Sequence, residues 1–184
     1  MNDDHECWRK ICQGDVVVFD RFYRENAPRL QAFLRHVVGS SQVAEDLAQD
    51  TFTQIWNRPV GYESDRGSLR TYLFGIGRKR ASEWWRKQRP SGAVEEAEQN
   101  AAEKKLWAME TNSIVGDAFG KLPEEQRTLL WLREVEGQSY AELAAILDVP
   151  MGTVRSRLFA AREALRRIWV NGGNGRTETR KETA

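Results

Sequence analysis

The stretch Ser139–Trp169, SYAELAAILDVPMGTVRSRLFAAREALRRIW, decides how the rest of the chain is read. Ser139 followed by Glu142 is a capping box: the hydroxyl accepts an orphan backbone N–H and the carboxylate reaches back. Behind it Tyr140, Leu143, Ala144 and Leu147 recur at i, i+3, i+4 and i+7, the spacing of one buried helical stripe. Asp148-Val149-Pro150 stops that helix, because the residue before proline is pushed out of the α region. Pro150 can open the next helix, where its missing N–H is not needed. In that second helix Val154, Leu158, Ala161 and Leu165 form the inward face. Arg155, Ser156, Phe159 and Arg162 lie outward, with Arg157, Arg166 and Arg167 on the flanks. Two helices joined by a short turn, the second rich in arginine, form a helix-turn-helix signature. Such a helix fits the DNA major groove, where arginine meets guanine edges or phosphates.

The segment beginning at Leu122, LPEEQRTLLWLREVEGQSYAELAAILDVPMGTVRSRLFAAREALRR, resembles the C-terminal region of bacterial sigma-70-family factors. It is most similar to the extracytoplasmic-function (group IV) kind, and GTVRSRLFAAREALR carries the likeness most specifically. The resemblance implies a helix that reads the −35 promoter element. It places Thr153, Arg155, Ser156 and Phe159 on that surface, with Arg157, Arg162 and Arg166 towards phosphates. Ala160 departs from the many relatives that have a basic residue there.

Composition sets the outer bounds. The chain has 184 residues, 30% of them charged and 40% hydrophobic, which suits one large or two small globular domains. The net charge of +1 hides a segregation of charge along the chain. No apolar run approaches membrane-spanning length, and MNDDHECWRK lacks a basic stretch followed by an apolar core. We therefore expect a cytoplasmic protein without membrane insertion. Cys7 and Cys12 make no disulfide framework, and with His5 they lack the second ligand pair of a metal site. No cofactor or metal is expected, nor a P-loop or nucleophile–base constellation.

Along the N-terminal half, Asp4–Gln13 reads as a short helix ended by Gly14. Asp15 can cap a second helix, VVVFDRFYREN, and Pro28 sits in the first turn of a third, carrying Leu30, Phe33, Leu34, Val37 and Val38. After Gly39-Ser40-Ser41 comes the most regular helix of this half. Val43, Ala44, Leu47, Ala48, Thr51, Phe52, Ile55 and Trp56 make one stripe opposite Glu45, Asp46, Gln49, Asp50 and Gln54. Taken alone, this is a core helix with a solvated acidic face. DLAQDTFTQIW also resembles region 2.2 of the sigma family, which grips the β′ coiled coil of RNA polymerase. That implies polar contacts from Asp46, Gln49, Asp50 and Gln54, with Leu47, Phe52 and Trp56 holding the helix in place.

Asn57–Ser68 reads as loop from its Pro and Gly content. Helical spacing resumes through Leu69, Leu73, Ile76 and Arg80, and Gly75 and Gly77 each weaken that helix by roughly 1 kcal/mol relative to alanine. Its far half interleaves Arg78, Lys79, Arg80, Arg86, Lys87 and Arg89 with Trp84 and Trp85. Cations that track phosphates and rings that stack on bases suit single-stranded DNA. RGSLRTYLFGIGRKRA resembles regions 2.3 and 2.4, which open the −10 element and hold an extruded base. The residues so implied are Tyr62, Ser64, Asp65, Arg66, Tyr72, Arg78, Lys79, Arg80, Trp84, Trp85 and Arg86. Tyr72 stands where relatives usually show Trp, and Lys79 where they often show Asn.

The expected architecture is all-α: a sigma region 2 helical bundle and a region 4 helix-turn-helix, joined by a flexible linker. The boundaries are 1–89, an acidic linker at 90–106 with Glu95, Glu96, Glu98 and Glu103, the second module at 107–170, and a glycine-rich, polar tail at 171–184 expected to be disordered. The implied partners are core RNA polymerase through its β′ and β subunits, promoter DNA, and an anti-sigma factor. The alternative is a stand-alone helix-turn-helix regulator with an N-terminal sensing or dimerisation bundle, which would have no need of the DLAQDTFTQIW face.

Overall fold

The computed structural model describes residues 2–88, 118–119 and 121–177. Helix α1 spans Asn2–Cys12, α2 Val16–Val38, α3 Ser41–Asn57 and α4 Leu69–Gln88. After the linker come α5 (Glu124–Leu130), a π-helical turn at Trp131–Val135, α6 (Tyr140–Leu147) and α7 (Met151–Thr177). No strand occurs among the described residues.

Local chemistry sets most boundaries. Asp15 accepts from the Val17 and Val18 amides, and Gly39 in the left-handed region ends α2. The cap of α3 is Ser40, its hydroxyl accepting from Val43 N at 3.4 Å. The two helices expected on either side of Pro28 are one continuous helix. An internal proline costs about 3 kcal/mol. Here Phe22, Ala27, Leu30, Phe33, Leu34 and Val37 bury into the same core, each large side chain contributing roughly 1.5–3 kcal/mol. Burial on both sides of the break outweighs it.

Helices α2, α3 and α4 build the first bundle. Ala44, Ala48, Phe52 and Ile55 of α3 and Leu69, Leu73, Phe74 and Ala81 of α4 pack with the α2 stripe. Phe33 and Phe74 meet at 5.2 Å between ring centroids. Gly77 sits where α4 crosses α2: a Cβ there would lie 2.8 Å from Leu30 Cδ1. The start of α4 is capped from two directions, by Ser68 Oγ accepting from Thr71 N and by Asp4 of α1 accepting from Leu69 N at 2.9 Å.

In the second module, the Ser139–Glu142 capping box forms in full. Leu143 is buried as the stripe requires, but so is Ile146, which the stripe omits. The reason is tertiary: α4 covers a second face of α6. The turn into α7 is made by Asp148 at φ 54, a left-handed conformation that Asp tolerates better than most residues. Val154, Leu158 and Ala161 of α7 face inward. The helix continues to Thr177, beyond the limit at residue 170 and into the tail expected to be disordered. Glycine lowers helix propensity but keeps its N–H, so it weakens the ladder without cutting it. Residues 178–184, the acidic linker and residues 107–117 of the second module lie outside the described residues; Ala118 and Phe119 are helical.

The buried residues of the two modules form one continuous cluster, and α4 packs along α6. His36 of α2, 4% exposed, lies between Trp131 and Phe119 with ring centroids at 4.7 and 5.5 Å.

Candidate nucleic-acid interface

The outward face of α7 is as the sequence orders it. Arg155, Ser156, Arg157, Phe159 and Arg166 are exposed and Thr153 is half-buried. Phe159 is 70% exposed, a large ring presented to water. Ser156 Oγ donates to the Thr153 carbonyl at 3.0 Å, leaving its lone pairs for a donor. Arg162, expected near phosphates, instead donates to Glu134 Oε1 at 2.7 Å, and that bond raises its pKa further. It ties α7 to the π-helical turn.

The residues expected at the −10 element divide into three groups. Tyr62, Arg66, Tyr72, Arg78 and Lys79 line one cavity of about 430 Å³ between the 58–68 loop, α4 and α6. Tyr62 and Tyr72 form an aromatic triad with Trp8 of α1, the three centroid distances being 5.5, 5.6 and 5.9 Å. Burial pushes both phenols up, and the Tyr72 hydroxyl donates to the Val60 carbonyl. Ser64 and Asp65 are exposed on the loop beside this cavity. Arg80 belongs elsewhere: its guanidinium reaches Asp50 Oδ2 at 3.4 Å and Gln54 Oε1 at 2.9 Å on α3. Trp84, Trp85 and Arg86 lie towards the far end of α4. The two indoles are half-buried in edge contact at 4.7 Å, and Trp85 Nε1 donates to the Val37 carbonyl. Trp85 and Arg86 line a second cleft, of about 450 Å³, with Arg157 and Glu124.

On α3, Asp46, Gln49, Asp50 and Gln54 are exposed, Leu47 and Trp56 half-buried and Phe52 buried. Beside them Phe19, Tyr23, Phe52 and Trp56 line a groove with Glu45 and Gln49. Phe19 lies 4.8 Å from Trp56 and Tyr23 4.8 Å from Phe52. Phe19 and Tyr23 stand four residues apart in VVVFDRFYREN, and that i, i+4 spacing was the available signal in the sequence. Trp8 carried no signal, because nothing in α1 says which helix it meets.

An exposed basic recognition helix, an aromatic–cationic cavity and an acidic helix face define a protein that works on DNA within the transcription machinery. Residues 22–91 match Sigma-70 region 2, and residues 113–165 match Sigma-70, region 4. The chain is 30% identical over 179 residues to the ECF RNA polymerase sigma-E factor of Haemophilus influenzae, covering 88% of this chain and 93% of that one. It is 29% identical over 180 residues to the RNA polymerase sigma-H factor of Pseudomonas aeruginosa, covering 90% and 93%. Its fold is similar to that of CnrH, solved in complex with the cytosolic domain of CnrY (TM-score 0.68, 24% identity, 90% of this chain and 96% of that chain). It is also similar to the sigma factor RpoE, solved with the anti-sigma factor NepR from Bartonella quintana (TM-score 0.61, 24% identity, 82% and 95%). The chain belongs to the ECF RNA polymerase sigma factors. Its function is that of the family, promoter-directed initiation of transcription. Among the described residues, no helix is long and apolar enough to cross a membrane.

Proposed function

We propose that this chain reads the −35 element with Arg155, Ser156 and Phe159 of α7, Thr153, Arg157 and Arg166 supporting the helix on the backbone. The 58–68 loop, Tyr62, Arg66, Tyr72, Arg78 and Lys79 take the unpaired −10 strand, and Trp84, Trp85 and Arg86 extend that surface. Core RNA polymerase docks on the α3 face, on Asp46, Gln49, Asp50 and Gln54, with the Phe19–Tyr23–Trp56 groove beside them. The working units are residues 1–89 and 107–170, joined by the acidic segment 90–106. The protein acts in the cytoplasm, performs no covalent chemistry itself, and is restrained by an anti-sigma partner that covers both modules.

The observation that carries this reading is the exposed arginine–serine–phenylalanine face of α7 on a helix-turn-helix whose first helix carries a complete capping box. Its test is transcription from a randomised promoter library with this chain and bacterial core polymerase. Sequencing the transcripts is expected to recover one −35 and one −10 motif. Transcripts without a common upstream motif would overturn it.

A further inference from the structure

Between α3 and α4 the chain runs through residues 58–68 without a helix to hold it. Helix α1 meets this loop at three successive points. Cys12 Sγ donates to the Pro59 carbonyl at 3.6 Å, where the loop leaves α3. Trp8 meets Tyr62 edge-on at 5.5 Å, in the middle of the loop. Asp4 accepts from Leu69 N at 2.9 Å, where the loop enters α4. Asp4, Trp8 and Cys12 follow one another at intervals of four residues, so they share one face of α1. Ile11, buried in the core of the bundle, fixes α1 beside them. That face lies along the loop as a splint.

Tyr72 of α4 completes the hold. Its hydroxyl donates to the Val60 carbonyl. Its ring packs edge-on against Trp8 at 5.6 Å and tilted against Tyr62 at 5.9 Å. What remains of the loop is its tip, residues 63–66, closed by Arg66 N donating to the Glu63 carbonyl at 3.1 Å and exposed throughout. The loop is therefore fixed at both ends and in the middle, and open only at the tip.

We propose that Trp8 of α1 is a positioning residue for the −10 element: with the Tyr72 hydroxyl, it holds the 58–68 loop in its base-receiving form before DNA arrives, and so sets which −10 base the chain accepts. This rests on the assignment of that loop to the unpaired −10 strand. Tyr62 and Tyr72 line the cavity, and Trp8 acts through both rings. A loop ordered in advance has little ordering entropy left to lose on binding. It also presents one geometry at its tip, whereas a slack loop adapts to several bases and favours none.

The test uses the full chain with bacterial core polymerase and a promoter library randomised at the −10 element alone, its −35 element being the one the parent selects. Trp8→Ala is expected to flatten the −10 base preference roughly tenfold, the factor that loss of two aromatic pairs brings. Trp8→Phe should restore most of it. Tyr72→Phe keeps a ring in the triad and removes only the hydroxyl, and should flatten the preference about threefold to tenfold, the worth of one hydrogen bond. Preference at the −35 element and affinity for core should stay as in the parent. A second readout follows the loop without DNA: trypsin should cut after Arg66 faster in free Trp8→Ala than in the free parent, with Trp8→Phe close to the parent. An unchanged −10 preference in Trp8→Ala overturns the proposal, and so does a loss shared equally by the −35 element. Should Trp8→Ala fail to fold, Tyr72→Phe carries the test, and an unchanged −10 preference there overturns the proposal as well. If the parent itself selects no −10 motif, the functional reading fails instead, and the cleavage rates still decide whether Trp8 holds the loop.

Discussion

His36 lies face to face with Trp131, ring centroids 4.7 Å apart and planes 23° from parallel, and this stack joins α2 of the first module to the π-helical turn of the second. Burial holds the imidazole well below its ordinary pKa of 6.5; the nearby Arg127 charge adds to this, and a hydrogen bond with the Arg127 backbone opposes it. The folded chain thus keeps His36 neutral where the unfolded chain takes up a proton.

The pH dependence follows with a definite sign. The unfolded state binds more protons below about pH 6.5, so stability falls as pH drops through that value, by up to about 1.4 kcal/mol per pH unit from this residue. Glu142 acts lower down. Burial raises its pKa, but the hydrogen bonds from the Ser139 backbone and side chain, Thr71 and Ser68 outweigh it and leave it lowered. Its contribution is present above the ordinary carboxylate value of 4.5 and is lost as pH falls below it. Urea denaturation across pH 5–7 should show a slope that His36→Phe flattens, since phenylalanine keeps a stacking ring and cannot titrate. An unchanged slope in that variant would place the titration elsewhere.

Gly75 and Gly77 are two residues apart on α4 and should respond oppositely to alanine. A Cβ at Gly75 meets nothing within 4 Å, so Gly75→Ala should stabilise the chain by roughly 0.5–1 kcal/mol through helix propensity. At Gly77 the new methyl would press on Leu30, which is fully buried and cannot swing aside, so Gly77→Ala should destabilise by about 1–3 kcal/mol. Thermal unfolding of the two single variants decides the matter.

For core binding, Asp46→Lys should weaken association with polymerase and leave thermal stability within about 0.5 kcal/mol of the parent, because the side chain is exposed. Asp50→Lys should weaken association too, and also lower stability slightly, since it replaces the Arg80 ion pair with a like charge. Anisotropy titration with labelled chain and core polymerase, alongside calorimetry, separates the two effects. Core affinity unchanged in a folded Asp46→Lys, Asp50→Lys double variant would remove α3 from the interface.

Three arginines on α7 should give three different results. Arg155→Ala should relax preference at one −35 base pair and cost about 1–3 kcal/mol if the contact is bidentate. Arg166→Ala should weaken all sequences alike and reduce the salt dependence of binding by about one unit of slope. Arg162→Ala should act on stability, by about 0.5–1 kcal/mol, because it removes the ion pair with Glu134. Duplex titrations over a range of salt, with a set of −35 variants, distinguish the first two. The same sequence-blind loss in both would show that Arg155 is not a reader.

What the sequence determined by itself was what neighbours along the chain decide. Capping at Ser139 and Glu142, the inward stripe of α7 and the outward placement of Arg155, Ser156 and Phe159 depend on spacings of three and four residues, and all appear in the fold. The acidic face of α3 was legible for the same reason. The continuity of α2 through Pro28 was not, because the local penalty is overridden by a core that only the assembled bundle provides. Nor could the sequence say that Glu142 would meet Ser68, 74 residues away, that Arg80 would turn to Asp50 and Gln54, or that His36 would stack on Trp131. These pairings cost chain entropy to bring together and leave no period in the sequence. The first two exist because α4 has two faces to bury, one against α2 and α3 and the other against α6, and only the tertiary structure decides which helix covers the second.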